Sequence, residues 1–250
     1  MKIVFYFLVN WKYFKNQTHT TQTELYPEMD VGQVYNQIAT DFSRTRYKVW
    51  PCVAGFLDRI TDDASSGDSI IAAEIGCGNG KNLAYLQDRM SAIKPHASQL
   101  LGIDISAELL KICQSRGIEV VLGSILAIPI AVGQLDYTLS VAVIHHLQNK
   151  QDRIRALREL ARVTKKDGRI LITVWARNQT AEDGTKCGKR EFTSNDEMVG
   201  FKTKTGETHY RYYHLYDDGE LADDLAQVPE LQVAKLFIQK GNYVAELTRI

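Results

Sequence analysis

The sequence predicts an α/β protein built on a doubly wound, seven-stranded, mostly parallel sheet with an antiparallel C-terminal hairpin. Three observations carry this. From residue 31 to about residue 176, short apolar runs alternate with helix-patterned segments. A glycine-rich turn, Gly76-Cys77-Gly78-Asn79-Gly80, closes the first apolar run and opens a helix. Near the C-terminus, Lys240-Gly241-Asn242 separates two strand-like segments, as a hairpin turn would.

Residues 69–75 read as a buried strand because Ile70, Ile71, Ala72, Ala73 and Ile75 leave no polar alternation. Residues 99–104, 118–122, 135–141 and 168–175 read as the second to fifth strands. Helical patterning fills 81–90, 107–115 and 152–163 between them. In the usual order of such a sheet the third strand is an edge. Residues 177–208 are polar and rich in Gly, Lys and Thr, which predicts a loop insertion. Residues 232–238 and 243–248 then supply the last two strands. A Thr/Gln-rich stretch at 16–23 separates a variable extension, residues 1–30, from one domain spanning 31–250.

Lys+Arg 30 against Asp+Glu 30 gives a formal net charge of zero, with 44% hydrophobic and 24% charged residues in a chain of 250. That length buries a full core. The balance excludes the tail type of nucleic-acid binder, whose affinity rests on excess positive charge, yet leaves room for a local basic face. No run approaches the ~20 apolar residues of a membrane span. Cys52, Cys77, Cys113 and Cys187 form no CxxC pair and adjoin no His cluster, so no metal site and no disulfide framework is expected. Reduced thiols point to the cytoplasm, with the nucleus also open. Residues 3–9 are apolar, but Asn10-Trp11-Lys12 follows without a small-residue cleavage site, against a secretory leader.

Glu74-Ile75-Gly76-Cys77-Gly78-Asn79-Gly80-Lys81 follows a strand and opens a helix, the setting of a nucleotide-binding glycine loop. Its spacing differs from the dinucleotide fingerprint, which wants Gly where Lys81 stands. Asp104 ends the second strand, where an acid can accept both ribose hydroxyls, and Ser106 caps the next helix. Residues 140–147 follow the fourth strand at its carboxyl end, the end at which open parallel sheets bind ligands. Val141, His145 and His146 are therefore expected to face cofactor or substrate, with His146 favoured of the two histidines.

The E-x-G-x-G-x-G loop resembles that of class I S-adenosylmethionine-dependent methyltransferases, a Rossmann-like superfamily. Thr45-Arg46-Tyr47-Lys48-Val49-Trp50-Pro51, Ala142-Val143-Ile144-His145-His146-Leu147 and Arg211-Tyr212-Tyr213-His214-Leu215-Tyr216 sharpen the resemblance. Together with the loop they are similar to the eukaryotic tRNA wobble-uridine carboxymethyl methyltransferases, including the methyltransferase domain of the AlkB-type tRNA protein. The resemblance implies an enzyme that methylates the carboxylate of 5-carboxymethyluridine in the tRNA anticodon loop with S-adenosyl-L-methionine. It implies cofactor contacts from Glu74, Gly76, Gly78, Gly80, Asp104 and Val141. Many relatives carry an Asp after the third strand; Gly123-Ser124 stands here, so Ser124 is the expected adenine contact. Arg46 is expected to orient the carboxylate or a phosphate, and His146 to donate a hydrogen bond to uracil or carboxylate. Tyr47, Lys48, Arg211, Tyr212 and His214 are expected to line the nucleotide pocket, with Tyr212 or Tyr213 as a stacking face.

The family works with a small zinc-binding activator, so a heterodimer is expected, docked on the third-strand edge with Ile125, Leu126, Ile128 and Ile130. Arg153, Arg155, Arg158, Arg162, Lys165 and Lys166 suggest a cationic outer helix face for phosphate contact, with Lys186, Lys189 and Arg190 nearby. Two other readings stay open. One is a methyltransferase acting on a small-molecule carboxylate or quinone precursor; the other is a non-catalytic paralogue that binds tRNA or a partner.

Overall fold

The computed structural model describes residues 30–65, 69–93, 98–180, 183–187 and 191–250. The extension expected at 1–30 lies outside the described residues, apart from Asp30, whose side chain caps the first helix. In chain order the elements are α1 (Val31–Thr45), α2 (Pro51–Ser65), β1 (Ile71–Ile75), α3 (Lys81–Ser91), β2 (Gln99–Asp104), α4 (Ala107–Ser115) and β3 (Glu119–Leu122). There follow β4 (Leu135–Val141), α5 (Lys150–Val163), β5 (Thr164–Trp175), β6 (Asp196–Lys202), β7 (Thr208–His214), α6 (Glu220–Leu225), β8 (Leu231–Gln239) and β9 (Asn242–Arg249).

Seven strands form one sheet in the order β3-β2-β1-β4-β5-β9-β8. The first five are parallel, and β9 runs antiparallel to both β5 and β8. The central strands are apolar on both sides because both faces are covered. Ile75, Ile103, Ile170 and Ile172 pack with Ile154, Leu157 and Leu160 of α5 and Leu221 of α6 on one face. Ala72, Leu139 and Leu171 pack with Val53, Phe56 and Leu57 of α2 and Leu86 of α3 on the other. The β8–β9 turn puts Lys240 and Gly241 both at positive φ, which suits the twist of a two-residue hairpin.

Strand order reverses between β1 and β4, so the crevice at their carboxyl ends is where a ligand is expected. A second layer covers that end. Helix α1 and the separate β6–β7 hairpin pack on each other there, with Phe42 and Phe201 ring centres 6.0 Å apart and the Lys204 amide donating to Asp41 at 2.9 Å. Strand β6 lies inside the interval 177–208 expected to be a loop: Val199 is buried there and its neighbour Phe201 is half-buried, while the flanking residues are polar. Lys189 and Arg190 lie outside the described residues.

Two surface expectations change. Several of the cations on and after α5 are engaged within the protein, while Arg155, Arg158 and Lys166 stay exposed. Arg153 is buried against Glu220 and Asp224, Arg158 donates to the Gln227 carbonyl, and Arg162 donates to the Ile128 and Ile130 carbonyls and pairs with Glu159. Lys165 pairs with Asp136 and Lys186 with Glu191. At the β3 edge, Val121 and Leu122 are exposed as expected, but Ile125 and Ile128 belong to the main core and Leu126 and Ile130 pack against it.

Candidate active site

A cavity of about 460 Å³ opens at the carboxyl ends of β1, β2 and β4, roofed by α1 and the segment joining it to α2. That volume lies within the range of small-molecule sites. Gly76, Gly78 and Gly80 all take left-handed φ angles (78°, 57° and 74°), which a side chain would strain. Their reasons differ. A Cβ at Gly76 would stand 2.3 Å from Val143 Cγ2, and one at Gly80 2.6 Å from Ile118 Cδ1, so both are packing positions. A Cβ at Gly78 would meet only Phe42, at 4.0 Å, leaving its open side to the cavity. Gly80 does not line the cavity; it precedes α3 as its N-cap.

Asp104 is held by two amides. Gly78 N donates to Oδ2 at 2.7 Å and Ser106 N to Oδ1 at 2.9 Å. Each oxygen keeps a second lone pair, so a fixed carboxylate faces the cavity with capacity for two ribose hydroxyls. Ser124 lines the same end and its Oγ accepts from Leu126 N at 3.2 Å, leaving the hydroxyl proton to donate. Val141 lines the floor. After it, Ala142 sits at φ 59° with its N–H donating to Thr173 O at 3.0 Å, a turn that sets Val143 against Gly76.

Beside the glycine loop, Asn82 Nδ2 donates to Glu74 Oε1 at 2.6 Å. Glu74 Oε2 and Asn82 Oδ1 are both buried, both without a partner, and both belong to cavity-lining residues. Two orphan acceptors at one place call for a cationic donor. Burial pushes the Glu74 carboxyl up to about 7. Lys81 lies close by, its Nζ 5.8 Å from the Trp50 ring centre, and burial lowers its pKa while Glu74 opposes that shift. An amino acid ammonium fits Glu74 and Asn82, a ribose fits Asp104, and a ring nitrogen of adenine fits the Ser124 hydroxyl; the residues present fit S-adenosylmethionine.

The acceptor half of the cavity is aromatic and cationic. Tyr35, Trp50, Trp175 and Tyr213 line it with Arg46, Tyr47 and Lys48. Arg46 donates to Thr45 Oγ1 at 3.2 Å and lies 5.0 Å from the Phe42 ring centre; among the described residues it has no carboxylate partner. Tyr47 is 73% exposed at the mouth, with Lys48 Nζ over its ring at 5.8 Å.

The histidines correct the expectation. His146 Nδ1 lies 2.8 Å from the Tyr212 carbonyl, which only accepts, so Nδ1 carries the proton and donates. Its Nε2 therefore accepts from the Tyr35 hydroxyl at 3.0 Å. Burial holds this imidazole neutral, with its pKa pushed down to about 3. With both nitrogens engaged, His146 lines the cavity as a fixed, uncharged wall and has no proton left to give to a substrate. His145 is fully buried, accepts from Trp175 N at 3.2 Å and stacks on Tyr213, and does not line the cavity.

Of the residues expected from β7, Tyr213 reaches the cavity and Tyr212 does not: Tyr212 is buried, and its hydroxyl donates to Asp196. Arg211 is buried behind Tyr35 and Tyr213, donating to the Tyr35 hydroxyl at 3.3 Å with its guanidinium carbon 5.2 Å from the Tyr213 ring centre. His214 is clamped between Asp196 at 2.9 Å and Glu220 at 2.6 Å, away from the cavity. Sequence reasoning missed Tyr35, Lys81, Asn82 and Trp175. The signal for Lys81 and Asn82 was present: two polar residues opening a helix directly after a glycine loop.

Residues 73–172 match the family described as "Methyltransferase domain". The fission yeast Schizosaccharomyces pombe tRNA (carboxymethyluridine(34)-5-O)-methyltransferase is 34% identical over 207 residues, covering 76% of this chain and 84% of that protein. The mouse tRNA (carboxymethyluridine(34)-5-O)-methyltransferase ALKBH8 is 39% identical over 180 residues, 71% of this chain. The match spans only 25% of the mouse protein's length. Among solved structures, an S-adenosylmethionine-dependent methyltransferase from Clostridium acetobutylicum superposes with a TM-score of 0.63 at 12% identity, covering 86% of this chain and 98% of that one. This last likeness concerns the fold. The glycine loop, the fixed Asp104, the paired orphan acceptors and the identity along most of the fission yeast protein place the chain in the tRNA (carboxymethyluridine(34)-5-O)-methyltransferase family.

Proposed function

We propose that this chain is a tRNA (carboxymethyluridine) methyltransferase, esterifying the carboxylate of 5-carboxymethyluridine at the wobble position, in the cytoplasm. Bound S-adenosylmethionine supplies an electrophilic methyl group on a sulfonium sulfur. A carboxylate is already a nucleophile at neutral pH, so the protein's task is to hold an anion in line and keep water away. One observation carries the reading: Arg46, a cation with no carboxylate partner among the described residues, lines the acceptor half among aromatic rings, with Lys48 beside it. Its forked guanidinium suits a carboxylate. The half-buried ring of Trp175 in the cavity wall offers an aromatic contact to a uracil, while Tyr213, held between His145 and Arg211, backs it. His146 donates to the backbone and accepts from Tyr35, so it takes no proton from the substrate and none is needed.

The exposed β3 edge, with Val121 and Leu122, supports docking of a small zinc-binding activator, giving a heterodimer. The test is transfer of labelled methyl to tRNA carrying carboxymethyluridine, to unmodified tRNA, and to small carboxylates. Label in the first alone supports the assignment. Equal labelling of unmodified tRNA, or labelling of small acids only, overturns it.

A further inference from the structure

Arg153, Arg158 and Arg162 of α5 are engaged by carboxylates or carbonyls, and a set of cations without carboxylate partners lies at and near the cavity mouth. Arg46, Lys48, Arg116 and Lys202 have no carboxylate within ion-pair distance among the described residues. Two of them, Arg46 and Arg116, contact the last turns of α1. Arg116 donates to Asn79 O at 2.8 Å and reaches Ser43 Oγ at 3.4 Å, beside the cavity rim. Arg46 packs on Phe42. Phe42 meets Phe201, which precedes Lys202, and the Lys204 amide bonds Asp41. Two large aromatic side chains are exposed, Tyr47 at 73% on the α1–α2 elbow and Tyr210 at 53% on the hairpin. Tyr210 pairs across the hairpin with Gly200, which leaves its ring no bulky cross-strand neighbour.

We propose that the α1–α2 elbow, Arg116 and the outer face of the β6–β7 hairpin form a contact surface for RNA phosphates, with Tyr47 and Tyr210 as ring faces for unpaired bases. The proposal rests on the reading that a tRNA nucleotide enters the cavity: a loop nucleotide delivered there brings its flanking phosphodiesters across this rim. Cations without internal carboxylate partners lose no ion pair when they meet phosphate, whereas Arg153 and Arg162 of α5 would. Exposed rings beside such cations are the pattern of single-strand recognition.

The test is binding of an anticodon stem-loop RNA at several salt concentrations, using the full chain with any activator bound. The Lys202→Glu/Lys204→Glu double variant and Tyr210→Ala lie outside the cavity, so S-adenosylmethionine binding checks that they fold. The expected result is RNA affinity lower by about tenfold, a log–log salt slope shallower by roughly 0.7 per lost contact, and unchanged cofactor affinity. The control Lys165→Glu/Lys186→Glu, at two lysines already paired with carboxylates, should bind RNA within about twofold of the parent. Parental RNA binding in the hairpin variants, or an equal loss in the control, overturns the surface. If the parent forms the methyl ester while the hairpin variants bind normally, the surface alone has failed; if the parent neither binds the RNA nor forms the ester, the functional reading has failed with it.

Discussion

The Tyr35 hydroxyl on α1 donates to His146 Nε2 at 3.0 Å, joining the roof of the cavity to its floor. Arg211 donates to the same hydroxyl at 3.3 Å, and His146 Nδ1 passes the chain on to the Tyr212 carbonyl. One oxygen thus ties α1, the residues after β4, and β7 around the acceptor half.

Tyr35→Phe removes that tie and leaves His146 Nε2 unpaired in a buried setting. Stability should fall by about 1–3 kcal/mol, read by urea denaturation. Methyl transfer should fall by roughly tenfold, with cofactor affinity less affected, because the lost contact lies in the acceptor half. Parental values for both would mean the hydroxyl holds nothing in place.

Glu74 makes two opposed pH dependences. Its folded pKa of about 7 exceeds the ordinary 4.5, so between those values the folded state keeps a proton the unfolded chain gives up. Stability of the free protein should therefore fall as pH rises through that window, by on the order of 3 kcal/mol, and level off above about 7. Cofactor affinity should run the other way, weakening as pH drops below about 7, because the carboxylate form is the acceptor for an ammonium. Glu74→Gln should flatten the denaturation profile between pH 5 and 8 and abolish most cofactor binding in calorimetry.

Arg46→Ala should leave stability within about 0.5 kcal/mol of the parent, since no carboxylate partner is orphaned. The kcat/KM for the carboxylate substrate should drop by about 10- to 100-fold, the loss of a hydrogen-bonded charge contact. Arg46→Lys should recover part of this, keeping the charge but not the fork. A full-rate Arg46→Ala enzyme would remove the residue from substrate positioning.

The glycines should separate by phenotype. Gly76→Ala drives a Cβ into Val143 and should destabilise the fold by about 1–3 kcal/mol in thermal or urea melts. Gly78→Ala has open space on that side and should cost about 1 kcal/mol for its backbone angle, yet lose cofactor affinity disproportionately. Equal stability losses with equal affinity would contradict the division of roles.

How much of this was legible in the residues depended on burial. The spans 99–104, 107–115 and 135–141 match β2, α4 and β4 end to end, because a short apolar run in β2, apolar alternation in β4 and a serine cap on α4 mark them. The glycine loop and Asp104 followed from register along those strands. Helix α1 was not assigned. Its buried positions, Gly32, Ile38 and Ala39, are few and scattered among Asn, Gln and Ser, since much of it roofs a cavity instead of entering a core. Tyr35 went unseen with it. Strand β6 was hidden for a similar reason: a two-stranded ribbon buries one face only, and Val199 is its single fully buried residue. The histidine pair misled differently. Adjacent residues in a tight turn point apart, so His146 lines the cavity and His145 enters the core behind it.

The product that defines this chemistry is a methyl ester on one nucleoside. Incubating the protein with S-adenosylmethionine and tRNA bearing carboxymethyluridine, then digesting to nucleosides for mass spectrometry, reads it directly. The account predicts that the wobble nucleoside gains the mass of one methylene and that mild alkali reverses the gain, as for an ester. A methyl group stable to alkali, a methyl on another nucleoside, or an unchanged wobble nucleoside despite bound cofactor and activator would contradict it.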